Sequence, residues 1–300
     1  MSWANIAILS ATILGMVNVI DSHLLSKRMP SLRAFLVPVG IIHLIYALIV
    51  FTLFPLPAGI GTWPLLVAIA SGILRSLAMT SMLYVMKSEE VSRVTPVVYT
   101  YPVFVAIMAT PLLGETLYYM DWLAIIIVVT GAVMISIKQG PTGSTTWLGK
   151  PFLLLFGSSL LMAMADIASK YALVYISFWN MFWLSAFCMS GIFLLVSIRP
   201  YTLRQLINMK QRKSVFALLA VNETLAPTAI ALQFWALERG PVSLVSTIAG
   251  SRPIFVVMFA LILSRISPKF LQWQLGRGAL ALRLVATAMI VGGITIIHLM

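Results

Sequence analysis

The chain has 300 residues, 61% of them hydrophobic and 9% charged, and carries a formal net charge of +12. Soluble domains hold about 25% charged residues, and so little polar exterior cannot cover so much apolar surface in water. Composition therefore excludes a soluble enzyme or binding module and places the protein in lipid. The positive charge does not point to nucleic acid. No DNA- or RNA-binding motif occurs, and Lys and Arg stand scattered between apolar runs, as in short loops beside anionic lipid.

Crossing a bilayer takes about 20 apolar residues of helix. In chain order the candidate spans are 3–25, 34–54, 64–86, 94–113, 119–137, 152–174, 178–198, 214–237, 241–263 and 280–299. The first has no basic segment before it and no small-residue cleavage site after it, so it reads as a membrane helix and not as a removed signal peptide. Ala7, Ala11 and Gly15 on this span, and Ser246 and Gly250 on the ninth, follow the small-xxx-small spacing of close helix packing. Phe54-Pro55-Leu56-Pro57 and Gly140-Pro141-Thr142-Gly143 are clear breaks. The basic stretches 199–213 and 264–279 suit amphipathic helices at the interface. Trp63 and Trp147, at span ends, read as aromatic-belt anchors. The single cysteine, Cys188, excludes an intrachain disulfide. His23, His43 and His298 lack ligand-like spacing, and His43 reads as a hydrogen-bonded structural residue, so neither a metal site nor a cofactor is expected.

The halves resemble one another. Thr100-Tyr101-Pro102-Val103-Phe104-Val105 matches Ser251-Arg252-Pro253-Ile254-Phe255-Val256, with the prolines 151 positions apart. Val91-Ser92 meets Val242-Ser243 at the same offset, and Ser26-Lys27 meets Ser169-Lys170 at offset 143. The expected fold is all-α and polytopic, with ten transmembrane helices in two five-helix repeats, residues 1–140 and 141–300, forming one transmembrane domain. A repeat with an odd number of helices inserts its second copy upside down, so the repeats are expected to be inverted.

The odd-numbered loops carry Lys27, Arg28, Arg33, Lys87, Arg93, Lys138, Lys150, the run from Arg199 to Lys213, and Arg265, Lys269 and Arg277; the even-numbered loops and the termini carry only Arg239. The positive-inside rule then puts both termini outside.

Charges within the hydrocarbon cost about 3 kcal/mol each on insertion scales and mark pairs or wet cavities. Arg75, Asp166, Glu223 and Arg252 lie within spans. Counting from the turn near Arg239, Glu223 and Arg252 share a depth, which suggests an ion pair. Arg75 is the first candidate to face a solute, with pairing to Asp166 as the alternative. Asp21 reads as a solvated helix end. Pro102 and Pro253, repeat-related and mid-span, can kink their helices and serve as hinges.

The stretch Pro96 to Glu115, ending Pro111-Leu112-Leu113-Gly114-Glu115, then Thr130-Gly131-Ala132-Val133-Met134-Ile135 and Val291-Gly292-Gly293-Ile294 mark the fourth, fifth and tenth spans. With the length, the helix count and the repeat, these residues resemble the EamA-type branch of the drug/metabolite transporter superfamily. Ser264-Arg265 stands where the Gly-Glu would recur. The resemblance implies two inverted five-helix repeats and cytoplasmic termini, the reverse of the charge count. It also implies a cavity between the first, third, fourth, sixth, eighth and ninth helices, which hold Arg75, Asp166, Glu223 and Arg252. Tyr84, Tyr99, Tyr101, Gln233 and Trp235 are polar-aromatic candidates on the same helices.

The expected function is secondary transport, as an exporter, of a small organic metabolite by alternating access around a midplane cavity. Two arginines suit a carboxylate or phosphate on the solute, and Glu223 or Asp166 could cycle a proton. A lipid-head-group flippase on the same fold is the alternative. An intramembrane enzyme is disfavoured, because no HExxH motif, Asp-rich motif or nucleotide loop occurs and no catalytic residue stands out. The expected partners are the solute and the bilayer, and the expected location is the bacterial inner membrane as a multi-pass protein. The sequence leaves the solute, the coupling ion and the oligomeric state, monomer or homodimer, open.

Overall fold

The computed structural model describes residues 2–89, 94, 97–136, 150–209, 212–266 and 277–299. Trp147, Val91-Ser92, the Gly140–Gly143 break and most of the basic stretch after Ile266 lie outside them.

Every element is helical among the described residues. In chain order they are α1 (Trp3–His23), α2 (Leu32–Leu53), α3 (Thr62–Met86), α4 (Tyr101–Leu113), α5 (Tyr119–Ser136), α6 (Lys150–Ala172), α7 (Phe178–Ser197), α8 (Pro200–Ile207), α9 (Arg212–Arg239), α10 (Val242–Gly250), α11 (Arg252–Ile266) and α12 (Arg277–Leu299). A π-helical turn, Leu24–Arg28, carries α1 onward. Seven segments are long and apolar enough to cross a membrane, counting α10 and α11 as one, and three shorter apolar helices lie in α4, α5 and α12. Leu53, Leu66, Leu112, Tyr84 and Leu195 point outward, as a lipid-facing surface requires.

Local chemistry sets the ends. Ser2 and Ser31 accept backbone N–H bonds at the starts of α1 and α2. Ser177 and Asn180 form a reciprocal cap on α7. Asn180 Nδ2 also donates to the Phe54 carbonyl at 2.8 Å, and Trp183 Nε1 does so at 3.1 Å, so the Pro-rich break after α2 is tied to α7. The amphipathic helix expected within 199–213 is α8, with Thr202 and Leu206 buried and Tyr201, Leu203 and Ile207 exposed.

Packing follows a reciprocal plan. The first helix of each half lies against the third helix of the other: α1 on α9, and α6 on α3. The second helices pack on each other as α2 and α7, and the fifth as α5 and α12. The last crossing is close because a Cβ on Gly131 would come within 2.9 Å of the Ala286 carbonyl, and one on Gly293 within 3.1 Å of the Ala124 carbonyl. Gly131 and Gly293, one from each repeat end, therefore form the contact surface of that crossing. Gly15 plays the same part for α1 against α11, where a Cβ would meet Phe255 Cβ at 2.5 Å.

The fourth helix of each half is interrupted at the same place. Thr100 Oγ1 donates to the Val97 carbonyl at 2.7 Å, and Ser251 Oγ donates to the Ile248 carbonyl at 2.6 Å. Both residues have near-zero ψ, −9° and −4°. A helix restarts after each, with Pro102 and Pro253 in its first turn, where proline's missing N–H costs no bond. The two prolines therefore stand just after breaks and not in the middle of kinked helices.

Candidate functional site

Three polar groupings line the interior. The first joins α3, α6 and α10. Arg75 Nη2 meets Asp166 Oδ1 at 2.7 Å, with side-chain exposures of 7% and 0%. Ser246 Oγ donates to the other carboxylate oxygen at 2.7 Å, and Arg75 Nη2 also faces Ser169 Oγ at 3.3 Å. The guanidinium lies 5.1 Å from the centre of the Phe234 ring. Arg75 is thus matched in charge by Asp166, the pairing that the sequence reading gave as its alternative. Ser246, read as a packing residue, is part of it.

The second grouping sits at the α10/α11 break. Arg252 Nη2 donates to Gln233 Oε1 at 2.5 Å, and its Nη1 lies 3.5 Å from the Tyr99 hydroxyl. The guanidinium lies 5.3 Å from the Tyr99 ring centre. Asn18 Nδ2 on α1 donates to the same hydroxyl at 2.7 Å. Tyr101, 1% exposed, adds a ring 6.5 Å from that of Tyr99. Arg252 is buried, and among the described residues its guanidinium pairs with no carboxylate.

The third grouping joins α1, α2 and α9. Asn222 Nδ2 donates to Asp21 Oδ1 at 2.7 Å and to Glu223 Oε1 at 3.1 Å. His43 Nδ1 lies 3.0 Å from the Val39 carbonyl and 3.4 Å from Glu223 Oε2. His43 is hydrogen-bonded as expected.

Two expectations are corrected here. Glu223 and Arg252 do not pair. Arg252 meets Gln233, which stands ten residues, about 15 Å, nearer the turn on α9 than Glu223, so equal counts from the turn did not give equal depth. Gln233 occupies the place assigned to Glu223. Asp21 is not a solvated end, because the π turn extends its helix to Arg28 and leaves Asp21 only 6% exposed. Trp235 stands apart from the centre, 4.2 Å beneath the Arg239 guanidinium near the end of α9; Tyr84, 61% exposed, faces outward.

At the end of the molecule that holds Trp3, charged side chains meet backbone groups. Glu115 Oε1 accepts from the Val242 N–H at 2.5 Å, and its Oε2 accepts from the Ser243 N–H at 3.3 Å. The carboxylate therefore caps the exposed amides of α10. Lys170 Nζ donates to the carbonyls of Leu237 and Gly240, both at 2.8 Å. At the opposite, basic end a cavity of about 660 Å³ opens beside Lys27, Arg28, Gln205 and Asn208.

Sequence reasoning found Arg75, Asp166, Glu223, Arg252, Tyr99 and Gln233, but not their grouping. It did not single out Asn18 or Asn222, although an amide within an apolar run is a signal of the same kind as a charge.

An all-helical chain with polar groups buried between long apolar helices belongs to the class of polytopic membrane proteins. The chain matches the EamA-like transporter family over residues 1–137 and 149–297, and it belongs to that family. Two matched segments spanning the chain make each half one family repeat. No curated protein matches it. Its fold is similar to that of a solved protein, titled only as the crystal structure of a protein, at TM-score 0.66 and 17% identity, over 99% of this chain and 95% of that one.

Proposed function

We infer that the chain is a ten-span secondary transporter of two inverted repeats that exports a small organic anion by alternating access. One observation carries the anion: Arg252 is a buried guanidinium whose described partners, Gln233 and Tyr99, are neutral. A cation removed from water gains most from an opposite charge. Arg75 already has its carboxylate and Arg252 does not. A solute carboxylate or phosphate would supply the missing charge and displace Gln233, with the Tyr99 ring and Tyr101 beside it. Arg75, Asp166 and Ser246 hold α3, α6 and α10 around that point.

The breaks at Thr100 and Ser251 supply the hinges, with Pro102 and Pro253 starting the second half of each broken helix. Broken helices near the midplane are the usual site in inverted-repeat transporters. The basic end is placed in the cytoplasm of a bacterial inner membrane and the termini outside.

A thermal-shift screen of the purified protein against organic acids, organic phosphates, amines and neutral sugars tests the reading. Acids or phosphates should raise the melting temperature in proportion to occupancy, and Arg252→Gln should abolish that rise. Stabilisation by amines or sugars alone would overturn it. The rival reading, movement of a phosphate-bearing lipid head group, draws on the basic cavity beside Lys27 and Arg28. A scrambling assay with fluorescent phospholipids in vesicles separates the two.

A further inference from the structure

Two acid-bearing helix interfaces among the described residues are related by the repeat, yet they are charged differently. Where α6 meets α3, Asp166 is neutralised by Arg75 at 2.7 Å. Where α1 meets α9, Asp21 meets a second acid, Glu223, through the single amide of Asn222. Asp21, Asn222 and Glu223 are 6%, 0% and 3% exposed.

Each packed element bears on this pair. On α2 the titratable group is His43, 3.4 Å from Glu223 Oε2. On α1 it is His23 near the basic end, where Arg28 Nε faces its ring at 3.3 Å and Lys27 is the turn's other cation. On α11 it is Arg252, held by Gln233, which lies ten residues further along α9 than Glu223 or about 15 Å. Tyr99 comes from the segment before α4 and is bonded to Asn18. On α7 it is Cys188, which faces α3 at Ile69 and Gly72. No cation among these reaches either carboxylate at ion-pair distance apart from His43.

The hydrogen-bond inventory is also short of donors. Asn222 Oδ1, Glu223 Oε2 and His43 Nε2 are buried without a hydrogen-bond partner. Two ionised carboxylates supply acceptors only, so Asn222 Oδ1 would remain unmet. A protonated carboxyl group supplies an O–H. Like charges this close in a medium without water disfavour double ionisation, as in a dyad that shares one proton.

We propose that Asp21 and Glu223, bridged by Asn222 and faced by His43, form a proton-binding site that takes up and releases one proton in the transport cycle. The proton resides on one carboxyl oxygen and is exchanged with water when the basic or the terminal end opens. Its link to the solute site is α1. Asn18 lies one turn before Asp21 and holds the Tyr99 hydroxyl beside Arg252. A change of charge at Asp21 is felt there through a rigid helix. The proton's use in transport rests on the transporter reading, whereas the proton's presence does not.

The test uses the proton itself as probe and needs no solute. Infrared difference spectra of the purified protein after pH jumps read the carbonyl stretch of a buried carboxylic acid, and proton uptake is counted alongside. The wild type should show one such band, titrating with uptake of one proton per chain. Glu223→Gln and Asp21→Asn should each remove the shared titration, while size-exclusion profile and helix content stay native. The result that overturns the proposal is a band unchanged in both variants, or no band in the wild type. Repeating the series in sodium and in choline chloride separates a sodium site: loss of the band on adding sodium at fixed pH would also overturn it. Should one variant fail to fold, the other and the wild-type titration still decide. Failure of the solute screen with this titration intact would count against the transporter reading alone.

Discussion

Gly250 lies directly against Pro102, and a Cβ on the glycine would come within 2.8 Å of the proline Cγ and 3.3 Å of the Tyr99 carbonyl. The two interrupted helices thus touch where each is broken. Tyr99 and Gly250 occupy equivalent positions at the repeat offset, as do Tyr101 and Arg252. One half supplies the bulk of the Tyr99 ring and the other the absence of a side chain that lets the ring's backbone approach. The candidate solute site is asymmetric for this reason, although the backbones around it match.

Gly250→Val should destabilise the protein by about 1–3 kcal/mol, the usual cost of overpacking. Gly250→Ala should cost less, because one methyl can be met by a shift of the proline ring. Thermal unfolding in detergent reads both, and equal melting temperatures for all three proteins would contradict the contact.

Removing one member of the Arg75–Asp166 pair should be far worse than removing both. Breaking a buried pair leaves an unmatched charge and costs about 3–5 kcal/mol. Arg75→Met and Asp166→Leu should each be severely destabilised, and the double variant should recover much of the loss. A double-mutant cycle on unfolding free energy measures the coupling.

Glu115 caps α10 and leaves the solute site untouched. Glu115→Ala should lower stability by about 1–2 kcal/mol, and Glu115→Gln by less, because its carbonyl oxygen still accepts one amide bond. Solute-dependent stabilisation, measured as the added shift with ligand, should persist in both.

Gly131→Val should force α5 away from α12, because the Ala286 carbonyl lies 2.9 Å from the new Cβ and cannot move without its helix. Loss of yield and a drop in melting temperature are expected, while Gly292→Val should be silent, since nothing stands within 4 Å of its Cβ.

Alkaline phosphatase fusions should be active when placed at either terminus, and green fluorescent protein fusions bright when placed in the loop after α8. The reverse pattern would follow the family's habit and invert the direction assigned to transport.

The spans were legible because a hydrocarbon solvent imposes one rule on every residue it touches. The predicted boundaries of the first three and the seventh lie within two residues of α1, α2, α3 and α7, apart from the turn beyond α1. The repeat was legible in Pro102 and Pro253, and their register held down to the Thr100 and Ser251 hydroxyls. The partners of the buried charges were not legible. Depth can be counted from a turn, but which side of a helix faces which neighbour depends on crossing angles and breaks that periodicity does not encode. Glu223 was assigned to Arg252 by depth and belongs with Asp21, which the same reasoning left in the head-group layer. The role of Glu115 was hidden for a related reason: its partners are main-chain amides of a distant helix, and amides carry no side-chain signature.

The hairpin between α9 and α10 is gripped from both sides, Lys170 holding its carbonyls and Glu115 its amides. Neither grip reads side-chain identity, apart from the Ser243 hydroxyl that also reaches Glu115. Arg239, on the exposed face of the hairpin, can therefore vary without loosening the grip, whereas Leu237 and Val242 are buried in the core, Glu238 accepts the Phe178 N–H, and position 240 must keep the room that the Trp3 ring needs. Sequence drift should be fast at Arg239 and slow at Lys170 and Glu115, an inverse pattern in which the latch is preserved and the outward face of the catch is not.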